Sequence, residues 1–278
     1  MIKIPSLALN DGNSIPQLGF GVYGVSPEAT PDVVQGALAA GYRLLDGAYI
    51  YQNEEGLGEG VRRSGLPREE IFITTKVWNH EHSQARKAVE RSLKSIGVDQ
   101  LDLVLIHWPV PSQNLYVEAW RALIDMRKDG LVRSIGVSNF NADHLERIVS
   151  ETGEAPAINQ IELNPKLQQP ELRAANARLG ILSEAWTPLG KGASFEAEPI
   201  KTAAARAGKT PAQMIIRWHL QLGNVVIPSS SNPGRQAQNL DVFDFELSDA
   251  EMAAISTLDV GLRTGPDPSV FKIGAPDW

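Results

Sequence analysis

The chain has 278 residues, 42% of them hydrophobic and 21% charged, which excludes a disordered or fibrous protein. Its 26 Lys and Arg against 33 Asp and Glu leave a net charge of −7, which argues against nucleic-acid binding and against attachment to an anionic membrane surface. With no cysteine, disulfides, thiolate zinc sites and cysteine nucleophiles are all excluded.

The opening residues, MIKIPSLALNDG, meet Pro5 and Asp11 too early for a secretory leader. No apolar run approaches the roughly 20 residues of a membrane span, so a cytoplasmic protein is expected. A hairpin comes first, with residues 7–9, a turn at Asp11-Gly12, and residues 15–18. Eight short apolar runs follow, at residues 18–22, 42–46, 71–76, 101–107, 133–139, 157–162, 181–186 and 224–229.

Stretches with helical spacing lie between the runs. Thr30-Pro31-Asp32 reads as a cap with proline at the first helical position, and Gly41 ends that helix. Asn53-Glu54-Glu55 opens the next, with Leu57 and Val61 on one apolar face. Ser83 opens a third, with Ala85, Ala88, Val89 and Leu93 on its inner stripe. Further helices are expected at 115–129, 142–151, 169–179, 210–222, 233–240 and 248–258, the last opened by the capping box Ser248 and Glu251.

Runs such as LDLVLI at 101–106 are nearly continuous hydrophobics, the pattern of strands buried on both faces in a parallel sheet. Eight of them alternating with helices build either a closed (β/α)₈ barrel or an open doubly wound sheet. The length suits the barrel, which takes about 250 residues. The open sheet would carry a Gly-x-Gly-x-x-Gly turn after a strand, whereas the glycines with that spacing, Gly19, Gly21 and Gly24, begin inside the first run and do not follow one. The expectation is therefore an α/β protein, a (β/α)₈ TIM barrel in a single domain over 1–278, with the hairpin plugging the barrel floor.

Barrel enzymes carry their chemistry at the C-terminal ends of the strands. Those ends bring Gly21 and Tyr23, then Asp46, Lys76, His107, Ser138 and Asn139, Gln160 and Glu162, Trp186, and Ser229, Ser230 and Ser231 onto one rim. Tyr51 follows Asp46 by five residues. A tyrosine with a pKa near 10 is a poor acid at neutral pH, and a lysine ammonium beside it is expected to lower that value. A carboxylate, Asp46, would keep Lys76 charged. Tyr51 could then give a proton to a carbonyl oxygen oriented by His107. None of these side chains supplies a hydride, so a reduction needs a nicotinamide cofactor.

Structural readings compete residue by residue. An Asp or Lys ending a strand can be a buried ion pair, and a histidine before Trp108-Pro109 can be a packing residue. His80 and His82 suggest a metal but lack a third ligand at suitable spacing, so no metal is expected. Glu162 and Glu184 on neighbouring strands could instead form the carboxyl pair of a glycoside hydrolase.

Several ordered segments carry a resemblance. They are Leu45-Asp46-Gly47-Ala48 with Tyr51 and Asn53-Glu54, Ile73-Thr74-Thr75-Lys76, and Leu105-Ile106-His107-Trp108-Pro109. Ile135-Gly136-Val137-Ser138-Asn139-Phe140, Asn159-Gln160-Ile161-Glu162, Pro188-Leu189-Gly190, and Arg235 with Asn239 complete the series. In these the chain resembles the aldo-keto reductase family over nearly its whole length. Its compact loops are similar to those of the bacterial branch that contains 2,5-diketo-D-gluconate reductase.

The resemblance implies an NADPH-dependent reductase of aldehydes and ketones, keto-sugar acids and small dicarbonyls among them, acting as a monomer on a small-molecule carbonyl substrate. Tyr51 would be the general acid, Asp46 and Lys76 would tune it, and His107 would orient the substrate. Ser138, Asn139 and Gln160 would hold the nicotinamide carboxamide, and Trp186 would stack on its ring. Gly21, Val22, Tyr23 and Asp46 would line the cofactor, and Leu189 and Gly190 would pass its pyrophosphate. Ser229, Ser230, Ser231, Arg235, Gln238 and Asn239 match the segment for its adenosine phosphate end. Tyr23, Ile50, Trp78 and Trp108 would wall an apolar substrate pocket, and the tail at 261–278 would close over it. A nucleotide-binding barrel that serves as a partner subunit without turnover is the other reading; the intact set of Asp46, Tyr51, Lys76 and His107 argues against it.

Four positions depart from the family pattern. Gly47 stands where threonine is usual and Asn164 where histidine is usual. Ser229 replaces a lysine and Gln238 a glutamate. The last two leave the margin of NADPH over NADH open, with some NADH use expected.

Overall fold

A computed structural model describes residues 3–272. Strands β1 (Ser6–Ala8) and β2 (Ser14–Pro16) form the antiparallel hairpin, with Leu7 opposite Ile15. Eight parallel strands follow: β3 (Phe20–Gly21), β4 (Leu44–Asp46), β5 (Phe72–Val77), β6 (Leu101–Ile106), β7 (Val132–Ser138), β8 (Ile158–Glu162), β9 (Leu182–Trp186) and β10 (Val225–Val226). Each lies beside its neighbour in sequence. The ring closes where Leu18 pairs in parallel with Val226. Gly19 N–H donates to the Val226 carbonyl at 2.8 Å, and Val226 N–H donates to that of Gln17 at 2.9 Å. The expected (β/α)₈ barrel is the observed one.

The hairpin sits under the barrel. Leu9 and Ile15 pack with Leu44, Leu103, Leu105 and Ile158 inside the ring. Asn10 Nδ2 donates to the Pro156 carbonyl at 2.8 Å, and Gln17 Nε2 to those of Leu220 and Asn224 at 2.9 and 3.2 Å. These bonds occupy polar backbone at the bottom loops that a buried floor would otherwise leave unsatisfied.

Strand parity decides what faces the interior, because successive side chains alternate between faces. On β4, Leu45 joins the outer core under the helices while Leu44 turns inward. On β6, Val104 and Ile106 go outward while Leu103 and Leu105 go inward. By the same alternation Asp46, Lys76, Ser138, Gln160, Glu162, Glu184 and Trp186 share the inner face. Apolar residues fill its lower layers and polar ones its upper layers, below the strand ends.

Helices α1 (Thr30–Ala40), α2 (Glu54–Ser64), α3 (Ala85–Ile96), α4 (Tyr116–Lys128), α5 (Ala142–Thr152), α6 (Pro170–Arg178), α7 (Glu198–Ala207), α8 (Pro211–Gln221), α9 (Pro233–Leu240) and α10 (Asp249–Ser256) cover the outside. Ser248 and Glu251 form the expected capping box on α10. Three local expectations are corrected. Thr30 is the first residue of α1, not its cap; its Oγ1 donates back to the Ser26 carbonyl at 2.7 Å. Residues 79–84 form a 3₁₀ turn, so α3 starts at Ala85 and not at Ser83. Helix α7 is additional: its inner stripe of Ile200, Ala203 and Ala204 is too small to stand out as an apolar period. No helix among the described residues is long and apolar enough to cross a membrane.

Candidate active site

The polar upper layer is one bonded network. Lys76, fully buried on β5, donates from Nζ to Asp46 Oδ1 at 2.7 Å and to the Gly47 carbonyl at 2.9 Å. Gln160 on β8 reaches across the barrel, its Nε2 donating to Asp46 Oδ2 at 2.8 Å and to Glu184 Oε2 at 3.0 Å. Ser138 Oγ donates to the Gln160 carbonyl at 2.9 Å. Asn139 Nδ2 donates to the His107 carbonyl at 3.0 Å, and its Oδ1 accepts from Trp186 Nε1 at 2.8 Å. Asn139 adopts φ of 62°, a left-handed conformation that asparagine tolerates and larger side chains resist.

Tyr51 enters this layer from the turn Tyr49–Tyr51. The Lys76 Nζ lies 5.3 Å from its ring centre, and the His107 ring meets it edge-on at 5.9 Å. Tyr23 meets its other side edge-on at 5.1 Å. Asn53, just beyond the turn, donates from Nδ2 to the Val22 and Val25 carbonyls, each at 3.0 Å, and so ties the Tyr51 turn to the loop after β3.

Electrostatics follow from burial. Burial pushes the Tyr51 phenol up to about 12, with Lys76 opposing and Asp46 adding to the rise. The expectation that Lys76 takes Tyr51 below its ordinary value is therefore corrected: the lysine only limits a rise that desolvation causes. Burial also works against the charge on Lys76, but the anionic attraction of Asp46, with Tyr51 and Glu184 behind it, leaves its pKa raised and the lysine cationic. Burial and then the Lys76 charge hold His107 well below the ordinary histidine range, so it is a neutral imidazole. A neutral imidazole keeps one N–H to give.

Above the network opens a cavity of about 850 Å³. Asp46, Tyr51, His107, Ser138, Asn139, Gln160 and Trp186 all line it, as do Gly21, Tyr23, Trp108 and Ser229. Trp78 and Ile50 do not; they belong to the apolar cluster of Trp108 and Val110 that backs the wall. Trp78 packs edge-on against His107 at 5.0 Å. Val22 is fully buried, with its N–H given to the Asp46 carbonyl at 3.0 Å. Leu189 and Gly190 lie just after the rim, in a segment where Thr187, Gly190, Lys191 and Gly192 all have positive φ. Asn164 packs beneath Gly190, 3.1 Å from where a Cβ would stand.

Ser230 is half-buried, and Ser231, Arg235 and Gln238 are exposed around the start of α9; Asn239 is buried. None of these five lines the cavity. Asn232 caps α9 by accepting from Arg235 N–H at 3.1 Å, and Gln236 Nε2 donates to the Ser230 carbonyl at 3.0 Å, which fixes the serine turn.

Sequence reasoning misses part of the wall. Thr264, Gly265, Pro266, Phe271 and Lys272 close one side, and Lys191 stands at the mouth. Phe271 packs on Trp108 with ring centres 4.5 Å apart. Of the tail expected to close over the site, Thr264, Gly265, Pro266, Phe271 and Lys272 line it; 273–278 lie outside the described residues. Only a chain return of about a hundred residues brings this segment to the rim, and no local signal announces it.

The two glutamates of the hydrolase reading are both engaged. Glu162 accepts from Thr264 and Gly265 backbone N–H groups, and Glu184 accepts from Gln160. Neither lines the cavity, so neither is placed to activate a water across a sugar ring. His80 is exposed and His82 buried, so they do not face one site.

Similarity to known proteins agrees with this geometry. An aldo-keto reductase of Mycobacterium sp. (strain KMS) is 54% identical over 271 residues, 96% of this chain and 98% of that one. The methylglyoxal reductase DkgA of Escherichia coli (strain K12) is 49% identical over 267 residues, 95% and 97% of the two chains. The crystal structure of a Gox0644 mutant in complex with NADPH superposes with a TM-score of 0.94 at 46% identity, over 98% of this chain and all of that one. Residues 17–260 match the model of the Aldo/keto reductase family, and the chain belongs to that family.

Proposed function

We propose that the protein is an NADPH-dependent reductase of aldehydes and ketones, built as a single barrel domain and working as a monomer in the cytoplasm. The observation that carries this reading is the placement of Tyr51 between the cationic Lys76 and the neutral His107, on the floor of one cavity.

The residues present suit a nicotinamide nucleotide. Ser138, Asn139 and Gln160 put hydroxyl and amide groups on one wall, and Trp186, held through its indole N–H, offers an aromatic face. The left-handed run at Thr187, Gly190, Lys191 and Gly192 supplies a turn of the kind that receives pyrophosphate, with the Lys191 charge beside it. Ser229 and Arg235 remain for the adenosine phosphate. When bound, the reduced nicotinamide supplies the hydride.

The chain's own residues do the proton chemistry. Tyr51 donates its phenolic proton to the carbonyl oxygen as negative charge develops there. Lys76 stays cationic and stabilises the phenolate that is left, and Asp46 holds Lys76 in place. His107 donates a hydrogen bond to the same oxygen and fixes the carbonyl. Trp108 and Phe271 exclude water from that end of the cavity.

The methylglyoxal reductase relative supports small dicarbonyls as substrates. Keto-sugar acids also fit, since Lys191 and Lys272 bring positive charge to the cavity lining. The test is the loss of NADPH absorbance with a panel of aldehydes, ketones, dicarbonyls and keto acids. Absence of turnover with every carbonyl, despite NADPH binding, would sink the reading.

A further inference from the structure

We infer that Glu184 is a positioning residue for this reaction, which shares the Gln160 amide with Asp46 and thereby aims Gln160 at the cofactor cavity and sets the charge of the layer beneath Tyr51. The inference rests on the carbonyl-reductase reading above.

The geometry comes from strand register. Glu184 on β9 lies opposite Gln160 on β8 and Val225 on β10, and it is wholly buried. A primary amide has two N–H groups. Both from Gln160 are committed, one to Asp46 Oδ2 at 2.8 Å and one to Glu184 Oε2 at 3.0 Å. The amide oxygen is therefore the group that Gln160 turns to the cavity it lines. That oxygen suits the N–H groups of a carboxamide. Asp46 alone would fix one N–H and leave the amide free to turn about its last, two-fold torsion. Glu184 removes that freedom.

Charge makes the same point. The groups facing Glu184 are Asp46 from β4 and Lys76 from β5; β8 and β10 present Gln160 and Val225 at this level. Tyr51 and His107 lie above, and Glu162, one layer up, is taken by Thr264. One cation and one anion are already paired, so a second carboxylate would bury a net negative charge. Burial and then repulsion from Asp46 push Glu184 up to about 8, against the opposing pull of Gln160 and Lys76. At neutral pH the layer thus holds Lys76 as the ammonium paired with Asp46, and Glu184 as the acid. Ionisation of Glu184 adds negative charge beneath Tyr51, which disfavours its phenolate and slows proton donation.

Two substitutions test this. Glutamine mimics the protonated acid: it keeps the shape, the neutral charge and an acceptor oxygen, with an N–H₂ group in place of the O–H. Glu184→Gln should bind NADPH, by quenching of tryptophan fluorescence, within about twofold of the parent at pH 7. It should also lose the parent's fall in kcat/KM above about pH 8. In the cofactor-free protein the thermal stability of the parent relative to Glu184→Gln should fall as pH rises from 4.5 towards 8, because the parent's native state keeps a proton that its unfolded chain releases near 4.5; the difference cancels the opposite slope of His82, His107, His144 and His219, which burial holds below the ordinary histidine range. Glu184→Leu, which frees the amide, should weaken NADPH binding by about tenfold.

The proposal is overturned if Glu184→Gln keeps the parent's alkaline fall and stability slope, or if Glu184→Leu binds NADPH as the parent does. Should Glu184→Leu not fold, the two pH measurements on Glu184→Gln decide alone. The stability slope needs no cofactor, so its outcome stands apart from failure of the reductase reading itself.

Discussion

Glu162 holds Thr264 by two hydrogen bonds of 2.7 Å each, from the Thr264 backbone N–H and from its hydroxyl, to the same carboxylate oxygen. The second oxygen accepts from Gly265 N–H at 3.1 Å. A residue on the barrel's inner face thus anchors the segment that carries Phe271 over the cavity. Gly265 is needed there, since a Cβ would lie 2.5 Å from the Trp186 ring. Hydrogen bonds to a charged acceptor are worth about 1.5–3 kcal/mol each. Glu162→Ala should therefore expose the amides of Thr264 and Gly265 to hydrogen exchange and raise KM for the carbonyl substrate by about tenfold or more. Unchanged protection of those amides would show that the segment is held by other contacts.

Tyr51→Phe keeps the ring contacts with Tyr23 and His107 and removes only the hydroxyl. Carbonyl reduction should fall by at least the roughly 10²–10⁴-fold that general acid catalysis contributes. NADPH binding, measured by fluorescence titration, should stay close to the parent's. A mutant that still turns over at the ordinary rate would remove Tyr51 from the mechanism.

Much of this is legible in the sequence because parity and burial leave local traces. LDLVLI announces a strand covered on both faces, and β6 is buried throughout. Asp46, Lys76 and His107 end three successive runs and Gln160 lies near the end of a later one, and strand parity turns Asp46, Lys76 and Gln160 to the inner face. Glu184 is legible as a carboxylate on the strand beside that of Glu162; its bond to Gln160 depends on how β8 and β9 pair. The bond between Glu162 and Thr264 spans 102 residues and leaves no local pattern. The direction of the Tyr51 shift escapes a sequence reading because charge neighbours can be named from sequence, whereas desolvation depends on the closed barrel. Helix α7 escapes it because alanines carry its buried stripe.

Lys76→Met should be at least as damaging as the Tyr51 change, and it should also cost stability. It strands the Asp46 carboxylate, which is 3% exposed. Breaking one partner from a buried pair costs about 3–5 kcal/mol. Asp46→Asn should be milder, since the Gly47 carbonyl at 2.9 Å still accepts from Lys76. The native Lys76 pKa is raised, so its contribution to stability is complete below the unfolded lysine value and is lost as pH rises through the native one. Denaturant unfolding at neutral and strongly alkaline pH checks this: the gap between parent and Lys76→Met should narrow at the alkaline end. A gap that widens there would contradict the pairing.

Cofactor choice turns on Ser229 and Arg235. NADPH differs from NADH by a 2′-phosphate, and the family pattern places a lysine where Ser229 stands. Ser229 is exposed at the cavity rim, and Arg235 is exposed on the first turn of α9, with no ion pair to another side chain among the described residues. Its guanidinium is therefore available to grip the phosphate through parallel hydrogen bonds. The hydroxyls of Ser229, Ser230 and Ser231 add donors but no charge. NADPH should be preferred by a smaller margin than in relatives with both cations, and NADH should support measurable turnover. Ser229→Lys should tighten NADPH by roughly 1 kcal/mol, the value of a solvated charge pair, and leave NADH nearly unchanged. Arg235→Ala should weaken NADPH far more than NADH. Titration of both cofactors against both variants separates the two contributions, and an equal loss for the two cofactors in Arg235→Ala would mean that the phosphate is held elsewhere.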